Sequence, residues 1–348
     1  MRERIMAVVG MAGILLAAGS GVADITIDTI PVGNAGNTGE WSGESYGGYG
    51  PNRICGAVDY DFNIGTYEVT AGEYTAFLTA VAGVDTYVLY NPNMSYGSGI
   101  SRSGGGTVGN PYTYTVDPAF VHRPVNYVSW GDAARFTNWL TNGQGNGSTE
   151  TGAYDLNGAM TDDDLLAVVV PSAAQRATWS TGAKSYFLLT SEDEWYKAAY
   201  HDSESEAYFD YPTSSNTAPG RDMAETINVG NNANYYTGSG ANPIDSGKYT
   251  TVAGEFELSY SPYGTFDQGG NVWEWNESIV SGSYRGLRGG AFDNHVNNLH
   301  AAARAFNSPT YESYDIGFRV SEVPEPASIA VLALGSIGVL LRRQGSRR

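Results

Sequence analysis

Apolar residues recur at helical spacing in three stretches of this chain, each behind a start signal. Thr70-Ala71-Gly72-Glu73 has the form of a capping box, in which the Thr oxygen accepts a backbone N–H and the Glu reaches back. Tyr74, Phe77, Leu78 and Val81 then share one face. Ser129-Trp130-Gly131-Asp132 opens a second helix, with Ala133, Phe136, Trp139 and Leu140 on one side and Gly143 as its stop. Ser191-Glu192-Asp193-Glu194 opens a third, with Trp195, Ala198 and Ala199 inward. A β-like run precedes each helix: Asn63 to Val69, Pro124 to Val128 and Tyr186 to Leu189. Most of the remainder is Gly, Asn, Ser and Tyr, and Asn91 to Asn110 and Asn142 to Gly152 have the make-up of long surface insertions. No repeat of roughly 20–50 residues is visible, which argues against a solenoid or propeller. The pattern predicts three helices and several short strands in a chain poor in regular structure, whose loops need more than helix and sheet ladders to order them.

The two ends follow a different pattern. Residues 1–23 carry Arg2 and Arg4, an apolar stretch from Met6 to Ala18, and the small residues Gly21-Val22-Ala23 before Asp24. This is the layout of a signal peptide. Near the other end, Val323-Pro324-Glu325-Pro326 precedes an uncharged run from Ala327 to Leu341 and then Arg342 and Arg343. The run is slightly short for a stable span, which needs about 17–25 residues. Its basic end would stay in the cytoplasm. Box, apolar run and basic end, over residues 322–348, resemble a PEP-CTERM sorting signal. The resemblance implies export, a transient stay of the tail in the inner membrane, and recognition at Pro324, Glu325 and Pro326 by an exosortase-type enzyme. The mature protein would sit in the envelope, at the outer surface or in the extracellular matrix.

Charge narrows the partners. The 348 residues carry a net charge of -18, and the ends hold several of the few arginines, so the body between them is more acidic still. Such a surface disfavours nucleic acid and anionic membranes, while suiting an extracellular medium and bound cations. The single cysteine, Cys55, excludes an intramolecular disulfide.

Five segments in order then acquire meaning together: Ile64-Gly65-Thr66-Tyr67-Glu68-Val69-Thr70; Pro124 to Ala133; Leu188 to Trp195; Asp267-Gln268-Gly269-Gly270-Asn271-Val272-Trp273-Glu274-Trp275; and Leu287-Arg288-Gly289-Gly290 with Ala302-Ala303-Arg304 and Ile316-Gly317-Phe318-Arg319-Val320. They resemble the formylglycine-generating-enzyme (sulfatase-modifying-factor) family. The resemblance implies a single α+β domain related to C-type lectins over residues 58–321, with residues 24–57 as a lead-in.

The Asp267 to Glu274 segment also has a chemistry of its own. Two carboxylates flank a Gly-Gly-Asn turn, and the Asp267 and Glu274 side chains with the Gly270 and Val272 carbonyls would offer calcium hard oxygens. Alternatively, Trp273 and Trp275 pack the turn and Glu274 pairs with an arginine. The family resemblance implies a calcium site here, and a second involving Asn228 and Val229. Arg288, Arg304 and Arg319 would contact a ligand or, more simply, bridge buried acids.

Enzymes of this family use two cysteines shortly after the Leu-Arg-Gly-Gly box to hold copper, and soft thiolates are what Cu(I) requires. Here the stretch runs Ala291-Phe292-Asp293-Asn294-His295-Val296-Asn297-Asn298-Leu299-His300, without cysteine. Copper is therefore disfavoured, no catalytic residue is assigned, and Asn294, His295 and His300 mark the region where the enzyme's site would lie. The expectation is a non-catalytic, calcium-stabilised module binding a glycan or a protein. Formylglycine generation on a sulfatase-type cysteine is the alternative, and a structural matrix protein is a third reading.

Overall fold

A computed structural model describes residues 24–238, 244–245 and 247–324. The expected signal peptide, Glu325, Pro326 and the apolar run after them lie outside the described residues. Among the described residues, no helix is long and apolar enough to cross a membrane.

Eight strands form two four-stranded sheets. In chain order they are β1 (Thr29–Val32), β2 (Phe62–Gly65), β3 (Tyr186–Leu189), β4 (Trp273–Val280), β5 (Tyr284–Arg288), β6 (Ala305–Asn307), β7 (Ile316–Phe318) and β8 (Val320–Val323). The first sheet has the order β1-β2-β8-β3 and is antiparallel throughout. The second has the order β6-β5-β4-β7, with β4 and β7 parallel and the other pairs antiparallel. The chain passes from β7 in the second sheet to β8 in the first through one residue, Arg319. The lead-in contributes β1 to the first sheet, so it is structurally part of the domain.

Four longer helices are α1 (Ala71–Val81), α2 (Trp130–Thr141), α3 (Ala173–Trp179) and α4 (Glu192–Tyr200). The three starts read from sequence coincide with α1, α2 and α4. Thr70, Ser129 and Ser191 each accept from the backbone three residues on, and Glu73, Asp132 and Glu194 each reach back. α2 is buried along its whole length. Tyr74, Phe77, Phe136, Trp139 and Phe318 interlock at its centre, with Phe77–Phe136 and Phe136–Phe318 ring centroids both 5.4 Å apart. Edge-to-face contacts of this kind add to the area that each ring buries.

Two local expectations are corrected. Pro124 to Val128 is not a strand. Pro124 has no N–H to give, and Tyr127 adopts φ 58°, so the segment joins Thr70 by one bridge only. Asn91 to Asn110 is not all loop: a short helix, Met94–Gly97, and the strand Ile100–Ser103, paired with Thr113–Val116, fall in or run on from it. Buried Met94 and Ile100 hold it to the core. By contrast, the Asn142 to Gly152 segment stays irregular, and the side chains of Asn138 and Asn142 satisfy its carbonyls.

Candidate functional site

The Asp267 to Glu274 turn is held from both sides. Asp267 and Asn271 adopt left-handed backbone, as does Gly270 at φ 89°. Gly270 donates to the Gly289 carbonyl, and Asn271 donates to that of Asn234. A Cβ at Gly270 would meet the Asn234 carbonyl oxygen at 2.1 Å, so only glycine fits this crossing. The Gly-Gly of the Leu287 to Gly290 box thus packs directly against the Gly-Gly-Asn turn.

Beneath the turn lies a buried charge cluster. Glu274 accepts from Arg319 on both oxygens, at 2.9 Å on Oε1 and 3.0 Å on Oε2, and from Trp195 Nε1 on Oε2 at 2.7 Å. Arg319 also donates to the Gly65 and Phe266 carbonyls. Asp267 accepts from the Gly254 amide at 2.6 Å, and burial pushes its carboxyl up to about 6. Glu68 stands against the same group. It is 1% exposed, and neither of its carboxylate oxygens has a hydrogen-bond partner. Burial, then the Asp267 charge, push it well above the ordinary carboxylate range. Three buried acids therefore share one arginine, an arrangement that favours keeping a proton on Glu68 and on Asp267.

Glu274 is committed to Arg319 and Trp195, as the alternative reading of its spacing had it. Asp267 remains beside the orphaned oxygens of Glu68, a residue that the spacing of the turn does not bring in. Carboxylate oxygens of that kind fit calcium. Asn228 and Val229 are placed elsewhere. The Asn228 carbonyl accepts from Asn231 and from the Asn232 side chain, and Val229 is 65% exposed.

A second buried cluster surrounds Glu192. Arg288 and Arg304 each approach it at 2.7 Å, and Arg53 at 3.2 Å. Burial works to raise Glu192, but the three guanidinium groups outweigh it and hold the carboxyl well below its ordinary range. Arg288, Arg304 and Arg319 are thus all paired with buried acids. Cys55 completes this cluster, 3.1 Å from Arg288 Nη2, and burial pushes its thiol up to about 11.

The stretch after the Leu287 to Gly290 box reaches the surface. His295 is exposed, and its Nδ1 accepts from the Asn297 amide. His300 Nδ1 accepts from Ala302, its Nε2 is 3.7 Å from Asp210, and its ring meets the edge of Tyr211. The two histidines are thus turned to separate local partners. Among the described residues, no three His, Cys, Asp or Glu side chains converge as a metal-binding group. Asn294 donates to Asp293 at 3.1 Å, and Tyr314 donates to the other Asp293 oxygen at 2.9 Å. Sequence reasoning did not single out Glu68, Asp293, Tyr249, Phe292 or Tyr314. The excess of tyrosine was a signal for Tyr249 and Tyr314 alone, while Glu68 lay in a family segment and Phe292 and Asp293 in the stretch after the Leu287 to Gly290 box.

Residues 30–323 match the model of the sulfatase-modifying factor enzyme 1-like domain, and residues 322–344 match the PEP-CTERM protein-sorting motif. The motif indicates export and association with the surface or envelope through an exosortase-type sorting enzyme. Among solved structures, the chain is similar to Treponema denticola variable protein 1, with a TM-score of 0.52 and 21% identity, over 87% of this chain and 97% of that one. CarF matches with a TM-score of 0.49 and 19% identity over 85% and 98%, and PvdO from Pseudomonas aeruginosa with 0.47 and 16% over 84% and 93%. At such identities the likeness concerns the fold. No curated protein sequence matches.

Proposed function

The chain belongs to the sulfatase-modifying factor enzyme 1-like family, and we propose that it uses this fold outside the cytoplasm as a non-catalytic binding module. The observation that carries the proposal is the chemistry of the stretch from Ala291 to His300. It holds no thiol, and the chain's one thiol, at Cys55, is buried among Arg288 and Glu192 with its proton held firmly. Soft thiolates, the ligands that copper(I) requires, are therefore lacking at this place. The Nδ1 atoms of His295 and His300 accept from the Asn297 and Ala302 backbone amides.

Calcium would be a structural ion in this reading, held by Asp267, Glu68 and the Gly270 and Val272 carbonyls, and it would supply the charge that balances the buried acids. Glu274 would hold Arg319 in place beside it. Adding calcium to the chelated protein is then expected to raise the thermal midpoint, and Glu68→Gln is expected to remove most of that rise. Equal calcium responses in the two proteins would count against this donor set.

The decisive assay for the binding-module reading is chemical. The purified protein is incubated with copper, oxygen and a sulfatase-type cysteine peptide, and the peptide mass is measured. An unchanged mass is expected. Conversion of the cysteine to formylglycine would overturn the reading and make the protein an oxidoreductase.

A further inference from the structure

Three aromatic rings touch in succession beside the Gly-Gly-Asn turn. The Tyr249 and Phe292 centroids are 5.5 Å apart at an interplanar angle of 42°, and those of Phe292 and Tyr314 are 5.9 Å apart at 47°. Tyr249 and Tyr314 are 53% and 47% exposed, whereas Phe292 is 8% exposed and forms the floor between them. All three are anchored. Phe292 donates its amide to the Asn271 carbonyl, and the Tyr249 carbonyl accepts from the Asn234 side chain. Tyr249 is held at φ 66°, a conformation that tyrosine seldom adopts and that fixes where its ring projects.

Polar groups of a particular kind adjoin the row. Asp293 takes one hydrogen bond on each carboxylate oxygen, from Tyr314 and from Asn294. The Asn294 Oδ1 is shielded from solvent and has no partner. Tyr236, bridged to His295, is a further partly exposed ring beside this stretch. A ligand for this place must offer flat apolar faces to the rings. It must also offer hydroxyl donors to the Asp293 carboxylate. Hydrocarbon surfaces lack the donors. Anionic ligands are repelled by Asp293 and by Asp315, which lies close enough to feel the Asp293 charge. A sugar ring has apolar C–H faces and an equatorial rim of hydroxyls, and it meets both demands.

We propose that Tyr249, Phe292 and Tyr314 form a stacking platform for a neutral oligosaccharide, whose hydroxyl groups bond to Asp293. This assignment rests on the binding-module reading and names its ligand class.

Titration calorimetry on the full-length chain in detergent tests it, with cellohexaose, laminarihexaose and chitohexaose as neutral probes and oligogalacturonate as the anionic one. At least one neutral hexamer is expected to bind, with little dependence on salt. Tyr249→Ala and Tyr314→Ala are each expected to weaken binding by about tenfold, the equivalent of losing one ring's stacking energy. Tyr314→Phe, which keeps the ring, is expected to lose less. Tyr96→Ala, at a site 84% exposed and outside the row, is expected to bind as the parent does. Unchanged thermal midpoints would show that each variant folds. Silence with every neutral probe, tighter binding of the anionic probe, or losses that do not follow Tyr249 and Tyr314 would overturn the assignment. The peptide assay separates the two levels. An inert peptide with silent neutral probes overturns the glycan assignment alone, whereas an oxidised peptide overturns the reading beneath it.

Discussion

Arg319 and Glu274, both withdrawn from solvent, meet at 2.9 Å at the point where the chain leaves β7 of the second sheet and enters β8 of the first. Glu274 lies on β4, the neighbour of β7, and Arg319 reaches on to the Gly65 carbonyl at the end of β2. One ion pair therefore fastens the two sheets together at their shared strand crossing. Removing either partner leaves a buried charge without compensation, a loss of about 3–5 kcal/mol. Arg319→Met and Glu274→Gln are each expected to lower stability by that order in denaturant unfolding. The double variant is expected to lose less than the sum, because neither charge is then stranded.

Stability is also expected to fall with rising pH. Burial pushes Asp132 from 3.8 to about 6, and Glu73 and Glu277 from 4.5 to about 7. A carboxyl with a higher value in the folded state holds its proton longer there. Its contribution is thus complete below the unfolded value and is lost as pH rises through the folded one. Glu192 acts in the opposite sense and weakens the fold only under acid. In chelator, the thermal midpoint is expected to drop between pH 5 and pH 8. A midpoint that rises across that window would contradict this account.

Cys55 is expected to be inert in the native protein. It is fully buried, and a thiol pushed up to about 11 offers almost no thiolate at neutral pH. A thiol reagent at pH 7.5 should leave the folded chain unlabelled over a period in which the denatured chain reacts completely. Rapid native labelling would show that the Glu192 cluster opens.

Gly270→Ala is expected to be far costlier than Gly143→Ala. Both glycines have positive φ, a strain of about 1–3 kcal/mol for another residue. A Cβ at Gly143 meets nothing within 4 Å, whereas one at Gly270 strikes the Asn234 backbone. Thermal midpoints of the two variants measure the difference. Similar losses would mean that the turn can move away from Asn234.

What the sequence determined by itself was local. The starts of α1, α2 and α4 were legible because a capping box is complete within four residues, and the chain needs no distant partner to form one. The sorting signals were legible because they are read as linear segments. The boxes of Gly-Gly-Asn and Leu-Arg-Gly-Gly pointed to the family, and thus to the fold, before any contact was known. Which charges meet was decided by the tertiary structure alone. Glu192 finds Arg288 and Glu274 finds Arg319 across 96 and 45 residues, respectively. Glu274 carried the same signal as a metal ligand and as an arginine's partner until the strand crossing placed Arg319 beside it. Glu68 read as part of a strand, and only the return of the chain at Asp267 made it a buried acid without a partner. Tyr249, Phe292 and Tyr314 come from three loops with no common spacing. Their row exists because the Asn271, Asn234 and Asp293 contacts fix each loop separately, which no local pattern could encode.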